Sequence, residues 1–220
     1  MELKYPDDYI NKVICGDCLE IMKGIPDKTV DLVLTDPPYG KKWGRGLNGI
    51  GVVKYKNEIR EGLEWDNLIS IDYFQEIFRI SKNQIIFGAN YYWSLFPSTN
   101  CFLIWEKLGD FKRGKQVPFS PVEMAWTSFK CVPKRYVRVV QGFKTESKDQ
   151  RVHQTQKPSE LFIDILNDFS KENDLILDPF LGSGTTAVVC KQLGRRFIGI
   201  EINPDYCKIA EQRLAQEILI

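Results

Sequence analysis

The tetrapeptide Asp36-Pro37-Pro38-Tyr39 carries the clearest chemical signal in the sequence. Two consecutive prolines fix φ and remove two backbone N–H donors, so the turn presents carbonyl oxygens and a carboxylate. Such a turn suits a ligand that donates N–H groups, and the exocyclic amino group of adenine or cytosine has two of them. Tyr39 adds a flat aromatic face for the base. For the motif alone, a proline loop in which Asp36 caps a turn is the simpler alternative.

A second candidate site lies between Leu175 and Thr186, where a strand, a tight turn and a helix start follow one another. Gly182 and Gly184 would let the backbone approach a ligand without Cβ clashes, and free amides at the helix start would face a polar or anionic group. The pattern suits a nucleotide-like cofactor, although such residues also serve as ordinary helix caps. A P-loop lysine is missing, which disfavours phosphate cleavage and leaves a nicotinamide cofactor open.

Glu201 ends the apolar run that follows this glycine turn. Its distance along the chain from Gly184 is close to the spacing at which an acidic residue meets a ribose hydroxyl in dinucleotide-binding folds. We therefore interpret Glu201 as a ribose ligand. The alternative is that Glu201 caps the helix that opens near Pro204.

Short apolar runs alternate with amphipathic stretches, and both motifs follow predicted strands. The predicted strands are Lys12–Cys15, Val30–Thr35, Gln84–Phe87, Cys101–Trp105, Val122–Thr127, Tyr136–Val140, Leu175–Leu177 and Phe197–Ile200. The predicted helices are Cys18–Gly24, Leu68–Ser81, Ser159–Phe169, Thr185–Leu193 and Pro204–Gln216. This alternation predicts an α/β fold with a mostly parallel sheet and helices on both faces. In such sheets ligands bind beyond the carboxyl ends of the strands.

The length fits a single domain over residues 1–220, but its charge is uneven. Lys41–Arg60 holds 6 basic and 1 acidic residues, and Lys107–Arg151 holds 11 basic and 4 acidic. We interpret segments 41–66 and 107–151 as insertions that bind a polyanion, because Lys and Arg supply most non-specific affinity for nucleic acids. Solvated loops that happen to be rich in lysine are the alternative. Candidate contacts are Arg45, Lys54, Lys112, Arg113, Lys134, Arg135 and Arg138.

Other features point to the cytoplasm and to no metal site. No apolar run is long enough to cross a bilayer, and the first residues show no secretory signal. Six cysteines without a framework spacing fit a reducing compartment, in which thiols pack as small hydrophobic groups. Cys15 and Cys18 form a lone C-x-x-C, for which buried thiols are a better interpretation than zinc ligands.

Together the two motifs resemble the DNA amino-methyltransferase family, which makes N6-methyladenine or N4-methylcytosine. The family pairs a D/S/N-P-P-Y/F/W turn with an F-x-G-x-G cofactor loop, matched here by Asp36-Pro37-Pro38-Tyr39 and Phe180-Leu181-Gly182-Ser183-Gly184. The segment His153-Gln154-Thr155-Gln156-Lys157-Pro158 is similar to its H-P-T-Q-K-P segment, with Gln154 in place of a proline. Val13-Ile14-Cys15-Gly16-Asp17 resembles its strand and acidic turn that contact the cofactor adenine. The catalytic motif precedes the cofactor loop, as in the circularly permuted β group.

This resemblance implies a circularly permuted, Rossmann-like methyltransferase that uses S-adenosylmethionine as its methyl donor. The implied catalytic residues are Asp36, Pro37, Pro38 and Tyr39. The implied cofactor-binding residues are Asp17, Thr155, Lys157, Asp178, Phe180, Gly182, Ser183, Gly184, Thr185 and Glu201. Within this set, the segment that holds Lys157 is expected to contact the methionine end of the cofactor.

The implied function is site-specific methylation of the N6 amino group of adenine in double-stranded DNA, by base flipping and direct attack. Aspartate at position 36 favours adenine, since serine is commoner in the cytosine-N4 enzymes. The alternatives are a cytosine-N4 or RNA adenine methyltransferase and, in another class, a non-catalytic nucleic-acid-binding protein on the same scaffold. The resemblance implies a cytoplasmic protein encoded by a bacterium, archaeon or phage. The sequence leaves open a homodimer and a cognate restriction endonuclease.

Overall fold

The computed structural model describes residues 3–38, 70–107, 120–141, 144–145 and 157–216. The strands are β1 Lys12–Cys15, β2 Val30–Thr35, β3 Ser81–Phe87, β4 Phe102–Glu106, β5 Val122–Thr127, β6 Lys134–Val137, β7 Val140–Gln141, β8 Lys144–Thr145, β9 Leu175–Asp178 and β10 Arg196–Glu201. The helices are α1 Cys18–Met22, α2 Ile71–Ile80, α3 Ala89–Tyr92, α4 Ser159–Phe169, α5 Thr185–Gln192 and α6 Pro204–Ala215, and a 3-10 turn spans Trp93–Leu95. Within these ranges no helix combines the length and apolar character needed to cross a membrane.

Eight strands form one sheet in the order β1-β10-β9-β2-β3-β5-β4-β6, and β7 pairs with β8 in a separate hairpin. The first five strands of that order run parallel to one another. β5 runs antiparallel between β3 and β4, and β6 lies parallel to β4 at the edge. The prediction of a mostly parallel sheet is therefore confirmed. The first strand of the chain lies beside the last, so Cys15 pairs with Glu201.

Helices cover both faces of the sheet, as predicted. Buried residues of α1, α2 and α3 pack on one face, and buried residues of α4, α5 and α6 pack on the other. β2 in the middle of the sheet is therefore enclosed on both sides, which explains why Val30–Thr35 is an almost continuous apolar run. Its one acidic residue, Asp31, is partly exposed at the start of the strand.

Helix α2 forms because its apolar residues recur at helical spacing. Phe74, Ile77 and Ile80 are buried on one side of the helix. Asp72 lies in the first turn and Arg79 in the last, and both charges complement the helix dipole. Burial of this face fixes the rotation of α2 about its axis. The directions of its other side chains are fixed with it.

Part of the second basic segment belongs to the central sheet, so the prediction of an insertion over 107–151 needs correction. β5 and β6 lie within this segment and pair with β3 and β4. Ala125 and Tyr136 from these strands are buried in the same cluster as Leu103 and Trp105 of β4. The apolar residues between the lysines account for this placement, because they complete the core. Segment 41–66 lies outside the described residues.

The cysteines follow the prediction only in part. Cys101 and Cys131 are paired as a disulfide with their Cα atoms 5.0 Å apart, so the expectation of free thiols is wrong for these two. Cys15, Cys18, Cys190 and Cys207 are free. Burial raises the pKa of the Cys18 thiol to about 12, which keeps it protonated at neutral pH. The described residues contain no group of three or more side chains that could hold a metal ion.

Truncation of the α2 core face should destabilise the fold strongly. Ile77 is fully buried, so Ile77→Ala is expected to lower the free energy of unfolding by about 2–5 kcal/mol. Val132 is 77% exposed, so Val132→Ala is the control and should change it by less than about 0.5 kcal/mol. Urea unfolding followed by circular dichroism measures both values. Equal effects of the two substitutions would contradict this assignment of the core.

Candidate active site

The two sequence motifs meet at one crevice of the sheet. β9, which precedes the glycine loop, pairs with β2, which precedes the tetrapeptide. From β9 the chain moves to β10 on one side of this pair, and from β2 it moves to β3 on the other side. Such a switch point leaves a crevice outside the carboxyl ends of the two strands, where α/β proteins bind their ligands.

Asp36 follows β2 at the mouth of this crevice and is held by Lys157. The Lys157 ammonium contacts the Oδ2 atom of Asp36, although 121 residues separate them in the sequence. Lys157 is only 6% exposed, and a buried ammonium group needs a counter-charge close by. The resemblance implied that Lys157 contacts the methionine end of the cofactor. The structure places its charge on the catalytic turn, where Asp36 supplies a counter-charge, and the expected contact with the cofactor stays a prediction.

Lys157 belongs to a cluster of four alternating charges. Its ammonium also lies 3.1 Å from Oε2 of Glu123 on β5, and Glu123 in turn binds Lys107 at the end of β4 through Oε1. The aromatic ring of Phe87 lies 4.7 Å from the same ammonium, measured to its centroid. Two carboxylates and two ammonium groups thus lie next to one another, and one of the carboxylates belongs to the tetrapeptide.

The pKa values of the cluster show which groups stay ionised. Burial acts to lower the pKa of Lys157, but the carboxylates of Asp36 and Glu123 outweigh it and raise that pKa. Burial acts to raise the pKa of Glu123, but the charges of Lys157 and Lys107 outweigh it and lower that pKa to about 2. For Asp36 burial prevails, and its pKa is raised despite Lys157. Glu123 and Lys157 are therefore both charged at neutral pH.

The tetrapeptide is also held at its second proline. The Tyr92 hydroxyl donates a hydrogen bond to the carbonyl oxygen of Pro38. Tyr92 is 2% exposed and packs edge-on against Phe74 of α2, with ring centroids 5.0 Å apart. The turn is thus fixed by Lys157 at one end and by Tyr92 near the other. Tyr39 lies outside the described residues.

Asp178 connects the tetrapeptide to the glycine loop. Its Oδ1 accepts hydrogen bonds from the Thr35 hydroxyl at 2.8 Å and from the Phe180 amide at 3.1 Å. Its Oδ2 accepts one from the Thr186 hydroxyl at 2.5 Å. Thr35 immediately precedes Asp36, so one buried carboxylate links both motifs. Burial raises the pKa of Asp178 to about 6, against the opposing effect of these hydrogen bonds. Asp178, which was predicted as a cofactor ligand, thus binds three protein groups, and its contact with a cofactor stays a prediction.

The amides of the glycine loop are directed into the protein. Leu181 donates its N–H to the Ile200 carbonyl at 2.9 Å, and Gly182 donates to Oε2 of Glu201 at 2.8 Å. Gly184 donates to the carbonyl of Leu181 at 3.1 Å. These three amides therefore have partners within the protein. The amides of the first turn of α5, where the prediction placed the free donors, are not among them.

The two loop glycines serve different purposes. Both have positive φ, +56° at Gly182 and +89° at Gly184. A Cβ atom at Gly182 would meet nothing within 4 Å, so open space lies above it, as a ligand requires. A Cβ atom at Gly184 would lie 2.7 Å from the Cβ of Ala210, so this glycine is needed for close packing on α6. Only Gly182 fits the predicted approach of a ligand.

Ser183 and Thr185, also predicted as cofactor ligands, have partners on α6. Arg213 donates from Nη1 to the Ser183 carbonyl at 2.7 Å and to the Thr185 hydroxyl at 3.3 Å. Both residues are buried. The structure thus gives them a part in anchoring the loop, because their side chains point to the helix that covers it. The predicted Thr155 lies outside the described residues.

Glu201 is held in a defined orientation at the end of β10. Its Oε1 accepts a hydrogen bond from the Asn203 amide at 2.8 Å, and its Oε2 accepts the one from Gly182. Asn203, and not Glu201, caps α6 through its side chain, which accepts from the Asp205 amide at 2.9 Å. The capping alternative for Glu201 is therefore wrong. Each oxygen keeps further acceptor capacity for the two hydroxyls of a ribose.

Asp17 and Tyr73 complete this part of the site. Asp17 is exposed at the end of β1 and caps α1, where its Oδ1 accepts from the Leu19 amide at 2.7 Å. Tyr73 on α2 lies with its ring centroid 6.0 Å from that of Phe180. Burial, and then the negative charge of Asp17, raise the pKa of the Tyr73 hydroxyl. Tyr73 thus lies beside two predicted cofactor residues, although sequence reasoning did not find it.

Three of the proposed nucleic-acid contacts are paired within the protein. The Lys134 ammonium lies 3.1 Å from the Asp168 carboxylate, and the Arg138 guanidinium lies 2.5 Å from the Asp164 carboxylate. The two aspartates are on α4. Arg135 lies 3.4 Å from Glu106 on β4. These three basic residues therefore attach the edge strand β6 to α4 and β4. Arg45, Lys54, Lys112 and Arg113 lie outside the described residues.

Comparison with known sequences points to DNA methylases. A family model described as DNA methylase matches residues 104–212. The chain is 26% identical to Type II methyltransferase M.HinfI of Haemophilus influenzae, over 96% of this chain and 70% of that protein. It is 28% identical to Type II methyltransferase M.HpaI of Haemophilus parainfluenzae, over 94% and 74%. These matches confirm the predicted resemblance to the DNA amino-methyltransferase family, and with it DNA methyltransferase as the enzyme class and S-adenosylmethionine as the methyl donor.

Solved structures share the same fold. The M1.HpyAVI–SAM complex superposes with a TM-score of 0.61 at 24% identity, over 93% of this chain and 99% of the other. A DNA modification methylase of Thermus thermophilus complexed with S-adenosyl-L-methionine gives 0.60 at 22%, over 94% of each chain. The cytosine-N4-specific PvuII DNA methyltransferase gives 0.62 at 18%, over 94% and 87%. These neighbours confirm the Rossmann-like fold of the predicted methyltransferase.

Removal of the Thr35 hydroxyl should reveal the buried Asp178 charge. Thr35→Val keeps the shape of the side chain but removes one hydrogen bond to the carboxylate, so we expect the free energy of unfolding to fall by about 1–3 kcal/mol at pH 7. Burial raises the pKa of Asp178 to about 6, so its ionised form weakens the fold as the pH rises from about 4 to 6. The loss should therefore be larger at pH 7 than at pH 4.

Urea unfolding at the two pH values measures this difference. Thr29→Val is the matched control, because the Thr29 hydroxyl donates to the Pro26 carbonyl and to no carboxylate. Its effect should be the same at both pH values. A pH-independent loss in Thr35→Val would contradict the link between the two motifs through an ionisable group.

Proposed function

We propose that the chain is a site-specific DNA methyltransferase that transfers a methyl group to the N6 amino group of adenine in double-stranded DNA. The observation that carries this proposal is the position of Asp36, fixed by Lys157 at the same crevice as the glycine loop. An oriented carboxylate beside a cofactor loop suits an amino acceptor. Aspartate at this position favours adenine over cytosine.

The residues of the loop fit S-adenosylmethionine. Gly182 has open space above it, and Glu201 presents an oriented carboxylate to a ribose. Asp17, Phe180 and Tyr73 lie beside one another at the neighbouring strand end, where an adenine ring would find both an aromatic face and an acceptor. The bound cofactor supplies a sulfonium methyl group for direct attack by the base nitrogen.

The tetrapeptide would orient the amino group of a base that has been flipped out of the duplex. The Asp36 carboxylate accepts one N–H bond, and this contact directs the nitrogen lone pair toward the crevice. As the nitrogen gains positive charge, the negative charge of Asp36 stabilises it. The extra proton leaves the nitrogen after transfer, so no covalent intermediate with the protein is needed. Tyr39 is proposed to stack on the flipped base.

DNA binding is proposed to use segment 41–66 and the part of 107–151 that does not form β5 or β6. These segments carry the basic excess of the chain, and phosphate neutralisation supplies most non-specific affinity. The pairing of Lys134, Arg135 and Arg138 with acidic residues removes them from the set of expected contacts. We therefore expect Arg45 and Lys54, or Lys112 and Arg113, to contact the backbone.

A cytosine-N4 acceptor is the second candidate, and the likeness to the PvuII enzyme supports it. The same carboxylate would serve either amino group, since both present N–H donors. An RNA target shares this chemistry. A non-catalytic binding role is disfavoured by the buried charge cluster around Asp36, because buried ion pairs seldom benefit stability and this one orients a residue of the site.

The first test is the identity of the methylated base. Purified protein with labelled S-adenosylmethionine and DNA that contains all short sequences should produce N6-methyladenine, read by mass spectrometry of the nucleosides. N4-methylcytosine would establish the second candidate instead. Label in an RNA substrate alone would contradict the proposed duplex target. Absence of any labelled product, despite cofactor binding, would contradict the enzymatic proposal.

A second test concerns Asp36 itself. Asp36→Asn keeps the shape of the side chain but removes its charge, so we expect kcat to fall at least about 100-fold, as for loss of one stabilising group in a transition state. Affinity for S-adenosylmethionine, measured by equilibrium dialysis, should change less than about 3-fold, since a factor of that size is below about 1 kcal/mol. Asp27→Asn is the control, because Asp27 pairs with Arg79 away from the crevice. Full turnover in Asp36→Asn would refute the role of the tetrapeptide.

A further inference from the structure

We propose that Glu123 is a positioning residue for methyl transfer, which with Lys107 holds Lys157 in place and through Lys157 sets the orientation of the Asp36 carboxylate. This inference rests on the proposed function. Glu123 lies outside the motifs that the resemblance matches. In the sequence it is one of the four acidic residues of the basic segment Lys107–Arg151.

The contacts form a chain through four separate parts of the fold. Asp36 follows β2, Lys157 lies two residues before α4, Glu123 lies on β5 and Lys107 follows β4. Each Glu123 oxygen is directed at a different ammonium group, Oε2 at Lys157 and Oε1 at Lys107. Lys107 is itself fixed, since its backbone amide donates to the Pro121 carbonyl at 2.9 Å. Glu123 therefore transmits the rigidity of two sheet strands to Lys157.

Lys157 needs this second anchor to orient Asp36. A lysine side chain is a flexible stem with a compact charge, and a single ion pair with Asp36 would let both groups move together. Contact with Glu123 at 3.1 Å and with the Phe87 ring fixes the ammonium from two further directions. A fixed ammonium at Oδ2 sets the rotation of the Asp36 carboxylate, and so sets the direction of its other oxygen. Reacting groups depend strongly on such alignment.

The charges of the cluster also balance. When Asp36 is ionised, its charge and that of Glu123 balance the charges of Lys157 and Lys107, and Asp178 lies behind Thr35 as a further carboxylate that Asp36 affects. Loss of the Glu123 charge leaves an excess of positive charge around Asp36, which lowers the pKa of Asp36. Loss of the Lys107 charge has the opposite effect and raises it. A residue whose charge does not reach Asp36 would produce neither shift, and loss of kcat reports the orientation of the carboxylate.

The test compares pH profiles of kcat and of KM for both substrates. Because the reaction requires ionised Asp36, activity falls as the pH is lowered through the pKa of that group. In Glu123→Gln the midpoint of this acidic limb should move to lower pH, and kcat should fall about 10- to 100-fold through misorientation of the carboxylate. In Lys107→Met the midpoint should move to higher pH. KM for S-adenosylmethionine should stay within about 3-fold of the wild type in both, a change below about 1 kcal/mol.

Glu106→Gln is the matched control, because Glu106 lies on the adjacent strand and pairs with Arg135 outside the cluster. Its profile should coincide with that of the wild type. Glu123→Asp keeps the charge and should keep the wild-type midpoint even if kcat falls. Thermal melting identifies any variant that does not fold. If Glu123→Gln does not fold, Lys107→Met tests the inference in its place.

The outcomes separate the two proposals. A wild type that transfers no methyl group contradicts the proposed function. An active wild type, with folded variants whose midpoints do not move or move in the same direction, contradicts the positioning role of Glu123. Midpoints that move in opposite directions, with unchanged KM for the cofactor, support it.

Discussion

The hydrogen bonds of the buried Asp178 carboxylate are the constraint on which the rest of the site depends. Thr35 and Asp178 belong to neighbouring parallel strands but lie 143 residues apart in sequence. A carboxylate that is 5% exposed can remain there only while its oxygens are bonded, and the groups that bond them are the end of β2 and the start of the glycine loop. The spacing between the turn and the loop is thereby fixed by the fold.

The charges around Asp36 follow the same rule, that a buried ionised group needs partners close by. A buried ammonium is unfavourable alone, so Lys157 draws together carboxylates from two different strands. The antiparallel strand β5 brings Glu123 to a point that the parallel strands alone could not reach. Tyr92 restrains Pro38 from the opposite helical layer. The tetrapeptide is therefore rigid because elements from both faces of the sheet contact it.

Much of the fold and the position of the site could be predicted from the sequence, because hydrophobic periodicity and short motifs are local features of a chain. Strands such as Val30–Thr35 and helix Ser159–Phe169 agree with the structure residue for residue. The partners of the motifs could not be predicted, since Glu123, Tyr92 and Arg213 meet them only through the tertiary arrangement. One signal was present for Glu123, because a single acidic residue inside the apolar strand Val122–Thr127 requires a buried partner. The contact of Lys157 with Asp36 could not be predicted for the same reason, since 121 residues separate the two.

The internal bonding of the glycine loop has a consequence for selectivity among the small molecules of a cell. Because the loop amides are already satisfied by Ile200, Glu201 and Leu181, the loop keeps its shape when a ligand leaves, and the entropy of ordering it is lost during folding rather than at each binding event. Exchange of spent cofactor for fresh cofactor then requires no rearrangement of the backbone there. The Glu201 carboxylate, held in place at the same loop, would repel a phosphate group beside it, so nucleotides that carry one there would be poor competitors.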